Sequence, residues 1–150
     1  MYCTKKYIGM TKVLVPIDGS KESHQAFEYA CETISPDTVV LLHVITPSSL
    51  YSHNADPGMY TEAMYEAQKE RAEGLFETLR ENTDIDPKIE IETIIDVGRP
   101  ANKIVTFADE NDVDHIVMGS KGRDGAARVL LGSVAETVVR RATVPTTVVR

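Results

Sequence analysis

The run Gly119-Ser120-Lys121-Gly122, followed by nine residues from Arg123 to Leu131 and then by Gly132-Ser133, is the part of this sequence best suited to hold an anion. Glycine reaches backbone conformations other residues avoid and lets a ligand approach the main chain, while the free N–H groups of a helix start bind phosphate oxygens. Lys121, Arg123 and Arg128 add positive charge, so the chemistry indicated is a polyphosphate cradle. A single helix end contributes only about 0.3–1 kcal/mol to such binding, whereas micromolar affinity needs roughly 8 kcal/mol. Several N–H groups and a pocket for a base must therefore act together. The same residues also suit a plain connector, with glycines serving turns and Ser133 and Glu136 spaced as a Ser-x-x-Glu capping box. The two roles of Ser133 are compatible.

A second candidate is Asp18-Gly19-Ser20, which closes the apolar run Lys12 to Ile17. Asp18 is either a ligand contact or a turn residue ahead of a helix whose N-cap is Ser20 or Ser23. Neither Gly-x-x-x-x-Gly-Lys-Ser/Thr nor Gly-x-Gly-x-x-Gly occurs, which excludes a P-loop and a standard dinucleotide fingerprint. His24, His43, His53 and His115 show no metal-ligand spacing, and with only Cys3 and Cys31 a structural zinc site is not expected.

The elements that must position these residues alternate along the chain. Lys12 to Ile17 reads as a strand, and Ala26, Phe27, Ala30, Cys31 and Ile34 recur at helical spacing. Thr38 to Val44 is apolar without alternation, as in a parallel strand covered on both faces. After a polar loop (Pro47 to Gly58), Met64, Ala67, Ala72, Leu75, Phe76 and Leu79 mark a long amphipathic helix. Lys88 to Val97 is strand-like, and Pro100 stands where a helix begins, with Ile104, Val105 and Ala108 as its buried stripe. His115 to Met118 is a fourth strand, Ser133 to about Ala142 a fourth helix, and Val144 to Val149 a fifth strand. Such alternation predicts an α/β fold, one doubly wound parallel sheet. Ligands in these sheets sit beyond the carboxyl ends of the strands where the winding reverses, which directs attention to the loops after the first and fourth strands.

Length and charge narrow the reading further. A chain of 150 residues with 42% hydrophobic and 26% charged residues is expected to form one domain with a real core. Residues 1–9 precede the first apolar element and read as an arm, with Met10 a candidate alternative start and 10–150 the domain. Net charge is -7, which opposes nonspecific binding to nucleic acid or an anionic membrane. No apolar stretch approaches a membrane span and no signal-peptide pattern follows the N-terminal lysines, so a cytoplasmic protein with reduced thiols is expected.

VLVPIDGS (13–20), LLHV (41–44), the complete Gly119-x-x-Gly122-(nine residues)-Gly132-Ser133 element and the ending VPTTVV together resemble the universal stress protein family. The resemblance covers residues 11–150, and the glycine element is the mark of that family's ATP-binding branch. It implies an adenine nucleotide α-hydrolase-like fold with five parallel strands in the order 3-2-1-4-5 and four helices, binding ATP, or ADP or AMP. Asp18 would lie by the adenine and ribose with Pro16 beside it, the Val44 backbone would read the adenine, and Met118 and Gly119 would line the ribose. Gly122, Arg123, Gly132 and Ser133 would hold the phosphates, joined by the backbone N–H of Val134. Magnesium or manganese could arrive on those phosphates. Tyr51, His53 and Tyr60, in the loop from Thr46 to Tyr60, either cover the adenine or belong to an exposed connector. The resemblance also implies a homodimer through Val144 to Val149, an edge that nothing else in the sequence covers.

Three functions compete at this level. The first is a nucleotide-dependent regulatory module of the stress response with little or no hydrolysis. A second is an adenylating enzyme of the related fold that cleaves ATP between its α- and β-phosphates, although Asp18-Gly19-Ser20 replaces the Ser-Gly-Gly-x-Asp-Ser loop such enzymes carry. The third is a nucleotide-free dimeric scaffold.

Overall fold

Runs rich in Val, Ile and Leu that lack alternation need cover on both faces, and in the computed structural model, which describes residues 11–47, 61–121 and 131–150, they receive it. The elements are β1 (Lys12–Pro16), α1 (Lys21–Tyr29), β2 (Thr38–Ile45), α2 (Glu62–Asn82), β3 (Glu90–Val97), α3 (Pro100–Glu110), β4 (His115–Gly119), α4 (Ser133–Arg141) and β5 (Thr146–Val149). All strand pairings are parallel and the order is β3-β2-β1-β4-β5, the expected doubly wound arrangement. The alternative start Met10, the 1–9 arm, Cys3, and Tyr51, His53 and Tyr60 lie outside the described residues.

Side-chain alternation along each strand divides the interior into two layers. Val13, Val15, Val39, Leu41 and Val117 face Ala26, Phe27, Phe76 and Leu79 of α1 and α2. Leu14, Val40, Leu42, Ile116 and Met118 face Ile104, Val105 and Ala108 of α3 and Ala135 and Val138 of α4. Phe27 is fully buried, a contribution of about 1.5–3 kcal/mol to stability. In α2 only Ala72, Phe76 and Leu79 are buried; its many Glu residues and the exposed Met64 face away from the core.

The turn from β1 into α1 is local chemistry. Gly19 takes φ +83°, and Ser20 is the N-cap, its Oγ accepting the Ser23 N–H at 3.1 Å. Beyond Tyr29 the helix continues as a π-helical segment, Ala30–Ile34, closed by the Ser35 N–H on the Ala30 carbonyl at 3.0 Å. Cys31 lies in that segment, 5% exposed, and burial pushes its thiol up to about 11.

Two boundaries differ from the sequence reading. The last strand starts at Thr146 rather than Val144: Pro145 has no N–H, though its carbonyl accepts the Ile116 N–H at 2.9 Å. The capping box at α4 does not form. Gly132 is the N-cap, Ser133 is the first helical residue, and the Glu136 carboxylate pairs with Arg140 at 2.8 Å. With the box displaced by one position, the Ser133 hydroxyl is left at an exposed helix start.

Candidate functional site

The winding reverses between β1 and β4, because β1 leads into α1 in one layer and β4 leads to α4 in the other. Such a divergence leaves a crevice at the carboxyl ends of the strands. Three of the residues singled out from sequence share the α3/α4 side of it. Met118 belongs to that layer, Val44 packs against it, and Pro16, two residues beyond Leu14, falls on the same face. The register that sets Leu14 opposite Ile116 brings Pro16 level with Met118.

β2 outruns β1, and this determines where the Val44 backbone points. The Ile17 N–H reaches the Leu42 carbonyl at 2.8 Å, so Leu42 is directed toward β1; the Gly98 N–H reaches the Ile45 carbonyl at 2.9 Å, so Ile45 is directed toward β3. Strand alternation then turns the N–H and C=O of Val44 toward the side from which β1 has already departed. His43 stabilises that departure: a carbonyl only accepts, so its Nδ1–H donates to the Ile17 carbonyl at 2.7 Å.

Asp18 stands at the tip of β1 in a turn of its own. One carboxylate oxygen accepts both the Ser20 N–H at 2.9 Å and the Ser20 hydroxyl at 2.5 Å. The turn role weighed for this residue is thus present, whatever further contact it makes. Gly119 has a packing reason to be glycine, since an added Cβ would lie 2.7 Å from Glu22 Cβ, 2.8 Å from the Glu22 carbonyl carbon and 3.0 Å from the Ser23 nitrogen. Close approach of α1 to β4 therefore accounts for this glycine without a ligand.

Beyond β4 the chain leaves at Ser120, which is 2% exposed, and returns at Gly132, whose N–H bonds the Ser120 carbonyl at 2.6 Å. Gly122, Arg123 and Arg128 lie between, outside the described residues; Lys121 is half-buried. The return delivers Ser133 and Val134 to the first turn of α4, whose N-cap makes no side-chain hydrogen bond. Their N–H groups belong to the first turn, which has no intrahelical acceptor to offer.

Ser133, Val134 and Thr137 form one wall of a groove of about 340 Å³, and Arg99, Pro100 and Ala101 form the other. The volume lies at the lower end of the roughly 300–1,000 Å³ usual for small-molecule sites. The second wall was missed in the sequence. Pro100 by itself reads only as a helix start, and nothing local indicates that α3 begins beside α4. Here too the N-cap, Arg99, makes no side-chain hydrogen bond, and Pro100 at the first helical position needs none. Two helix N-termini without side-chain caps thus meet across a groove in which none of the described lining residues is a carboxylate. Chemically the arrangement provides a sheet face with an outward backbone pair at one end and an electropositive groove at the other, which fits a flat heterocycle carrying an anionic tail. Among the described residues no cluster of three His, Cys, Asp or Glu side chains could hold a metal ion.

Comparison with known proteins gives these features a context. The sequence profile of the Universal stress protein family matches residues 10–150. Universal stress protein MJ0531 of Methanocaldococcus jannaschii is 33% identical over 141 residues, which span 93% of this chain and 81% of the relative. The solved structure of MJ0577 from the same organism superposes with a TM-score of 0.78 at 30% identity, covering 93% of this chain and 95% of that one. A universal stress protein of Archaeoglobus fulgidus, solved in complex with dAMP, shares the fold with a TM-score of 0.60 at 24% identity, over 95% of this chain and 99% of its own.

Proposed function

This chain belongs to the universal stress protein family, and from that premise we propose that it is a cytoplasmic ATP-binding regulatory module that keeps its nucleotide largely intact. The observation that carries the reading is the convergence at one crevice of Pro16, Val44 and Met118 on a single sheet face with the open first turn of α4 at Ser133 and Val134. In the proposed pose the adenine lies against Pro16 and Met118 with its edge on the Val44 backbone. Asp18 and Gly119 flank the ribose, and the phosphates extend to Gly132, Ser133 and Val134, with Gly122 and Arg123 completing the cradle. Magnesium or manganese would enter on the phosphates. That a protein of the same fold holds dAMP is consistent with this pose.

Residues 10–150 are the binding domain in this proposal and 1–9 a dispensable arm. Two copies associate through β5, the sheet edge opposite β3. Among the described residues no helix is long and apolar enough to cross a membrane. Isothermal titration with ATP, combined with analysis of the nucleotide recovered after incubation, tests the reading. Micromolar or tighter binding with ATP recovered intact is expected. Rapid release of AMP would point to an adenylating enzyme instead, and absence of binding to a scaffold.

A further inference from the structure

Arg99 is the charged residue among the described residues that line the groove, on its α3 wall. Other cations around it are engaged: Lys103 with Asp96 at 3.2 Å, Arg140 with Glu136 at 2.8 Å, and Arg141 with the Asn102 side chain at 2.6 Å. Among the described residues the exposed Arg99 guanidinium has no hydrogen-bond or ion-pair partner, and its carbonyl accepts the Lys103 N–H at 3.0 Å. In a chain of net charge -7, a groove whose described lining includes an arginine and no carboxylate is a local exception in sign. Its opposite wall carries Ser133 and Val134, the residues assigned above to the phosphates.

We propose that Arg99 is the residue by which this site reads phosphate number, its guanidinium pairing with the phosphate oxygens held against α4 from the other side of the groove. The inference rests on the nucleotide reading and assigns to α3 a share of the ligand that the glycine element does not supply. Guanidinium is suited to the task because its planar fork matches two phosphate oxygens at once and never loses its charge. It should act on the anionic tail and leave adenosine recognition at Val44 untouched. Because the Arg99 side chain makes no capping bond, removing it leaves the start of α3 intact.

The test is calorimetric titration of the full chain with ATP and with adenosine, using the parent, Arg99→Ala, Arg99→Lys and, as a charge control remote from the groove, Lys88→Ala. Expected results are a roughly tenfold loss of ATP affinity in Arg99→Ala, partial recovery in Arg99→Lys, adenosine affinity unchanged within about twofold, and no effect of Lys88→Ala. An equal loss for ATP and adenosine would make Arg99 a structural residue, and unchanged ATP affinity would place the phosphates away from α3; either result overturns the inference alone. A parent protein that binds neither ligand overturns the nucleotide reading beneath it.

Discussion

Replacing Ser133 by proline separates ligand binding from folding at the start of α4. Position N1 of a helix is where proline is best tolerated, since the N–H it lacks has no intrahelical acceptor and its fixed φ suits the helix. Gly132, the residue before it, already has φ -68° and ψ 161°, the extended conformation a following proline requires. α3 is built this way, with Pro100 behind an extended Arg99 at φ -86° and ψ 120°. Stability should therefore be unchanged or raised by up to about 1 kcal/mol through the stiffer unfolded chain, which for a protein of this size shifts Tm upward by at most about 4 °C. The ligand would lose two donors, the backbone N–H and the hydroxyl. Hydrogen bonds to charged groups contribute about 1.5–3 kcal/mol each; Ser133 is exposed, so a total of about 2 kcal/mol is the better expectation, a weakening of roughly 30-fold in Kd. Titration calorimetry with ATP, beside a thermal melt of the same sample, reads both quantities. A variant that melts like the parent and binds ATP with parental affinity would refute the assignment of phosphate to this helix start.

Other perturbations test packing, titration and assembly. Gly119→Ala should cost about 1–3 kcal/mol, because the added methyl meets the backbone of Glu22 and Ser23 rather than a movable side-chain tip; a melt unchanged from the parent would contradict the close contact of α1 with β4. Since the Cys31 thiol is pushed up to about 11 from an ordinary value near 9, the unfolded chain ionises first between these limits. The folded form then holds more protons, so stability falls as pH rises through that window. Urea midpoints measured across it should decline more steeply for the parent than for Cys31→Ala, and equal slopes would refute the effect. For the proposed dimer, Thr146→Pro should give a monomeric mass by light scattering, whereas a persisting dimer would remove β5 from the interface. Thr147→Pro should instead destabilise the subunit itself, because strand alternation from the Pro145 and Val149 carbonyls, which bond Ile116 and Ser120, turns Thr147 inward to β4 and Thr146 outward.

That last pair shows what the sequence did and did not make legible. From composition alone β5 was recognisable as a β-branched segment, and the effect of proline at Thr147 depended on which way its N–H faced. Only the pairing with β4 reveals that it faces inward. The alternation of strands and helices is readable because the central strands β1, β2 and β4 are apolar and buried and each helix carries an apolar stripe, both properties of short windows. Ser133 and Glu136 obeyed a local spacing rule that the fold overrode: the hydrogen bond from Gly132 back to Ser120 joins residues across the whole β4–α4 connection and makes Gly132 the cap. Glycine at 119 could be seen as special, but its reason, the approach of Glu22 and Ser23, is nearly a hundred residues away in sequence. Arg99 escaped notice on the same ground, since its relation to Ser133 exists only once α3 and α4 lie side by side.

The proposed retention of the nucleotide, rather than its turnover, is supported by where the described carboxylates near the site are engaged. Hydrolysis needs a base, or a residue that orients water, in line with the phosphate under attack. Asp18, in the first candidate loop, and Glu136, in the first turns of α4, are two carboxylates near the site that the structure describes. One oxygen of Asp18 is engaged twice by Ser20, in the turn that starts α1. Glu136 is drawn along α4 to Arg140, and its backbone N–H is already inside the helix, bonded to the Gly132 carbonyl at 2.9 Å. Freeing Asp18 would cost a turn, and freeing Glu136 an exposed ion pair. In the proposed pose the described lining of the groove offers donors and an arginine to the polyphosphate and no base to an attacking water. Binding that is equally strong before and during reaction does not accelerate the chemical step. Phosphate release by the purified chain with magnesium should accordingly fall far below the roughly 1 per second of an ordinary enzyme. Turnover at that rate, abolished by Asp18→Ala or Glu136→Ala, would show that one of these carboxylates leaves its present partner when ATP is bound.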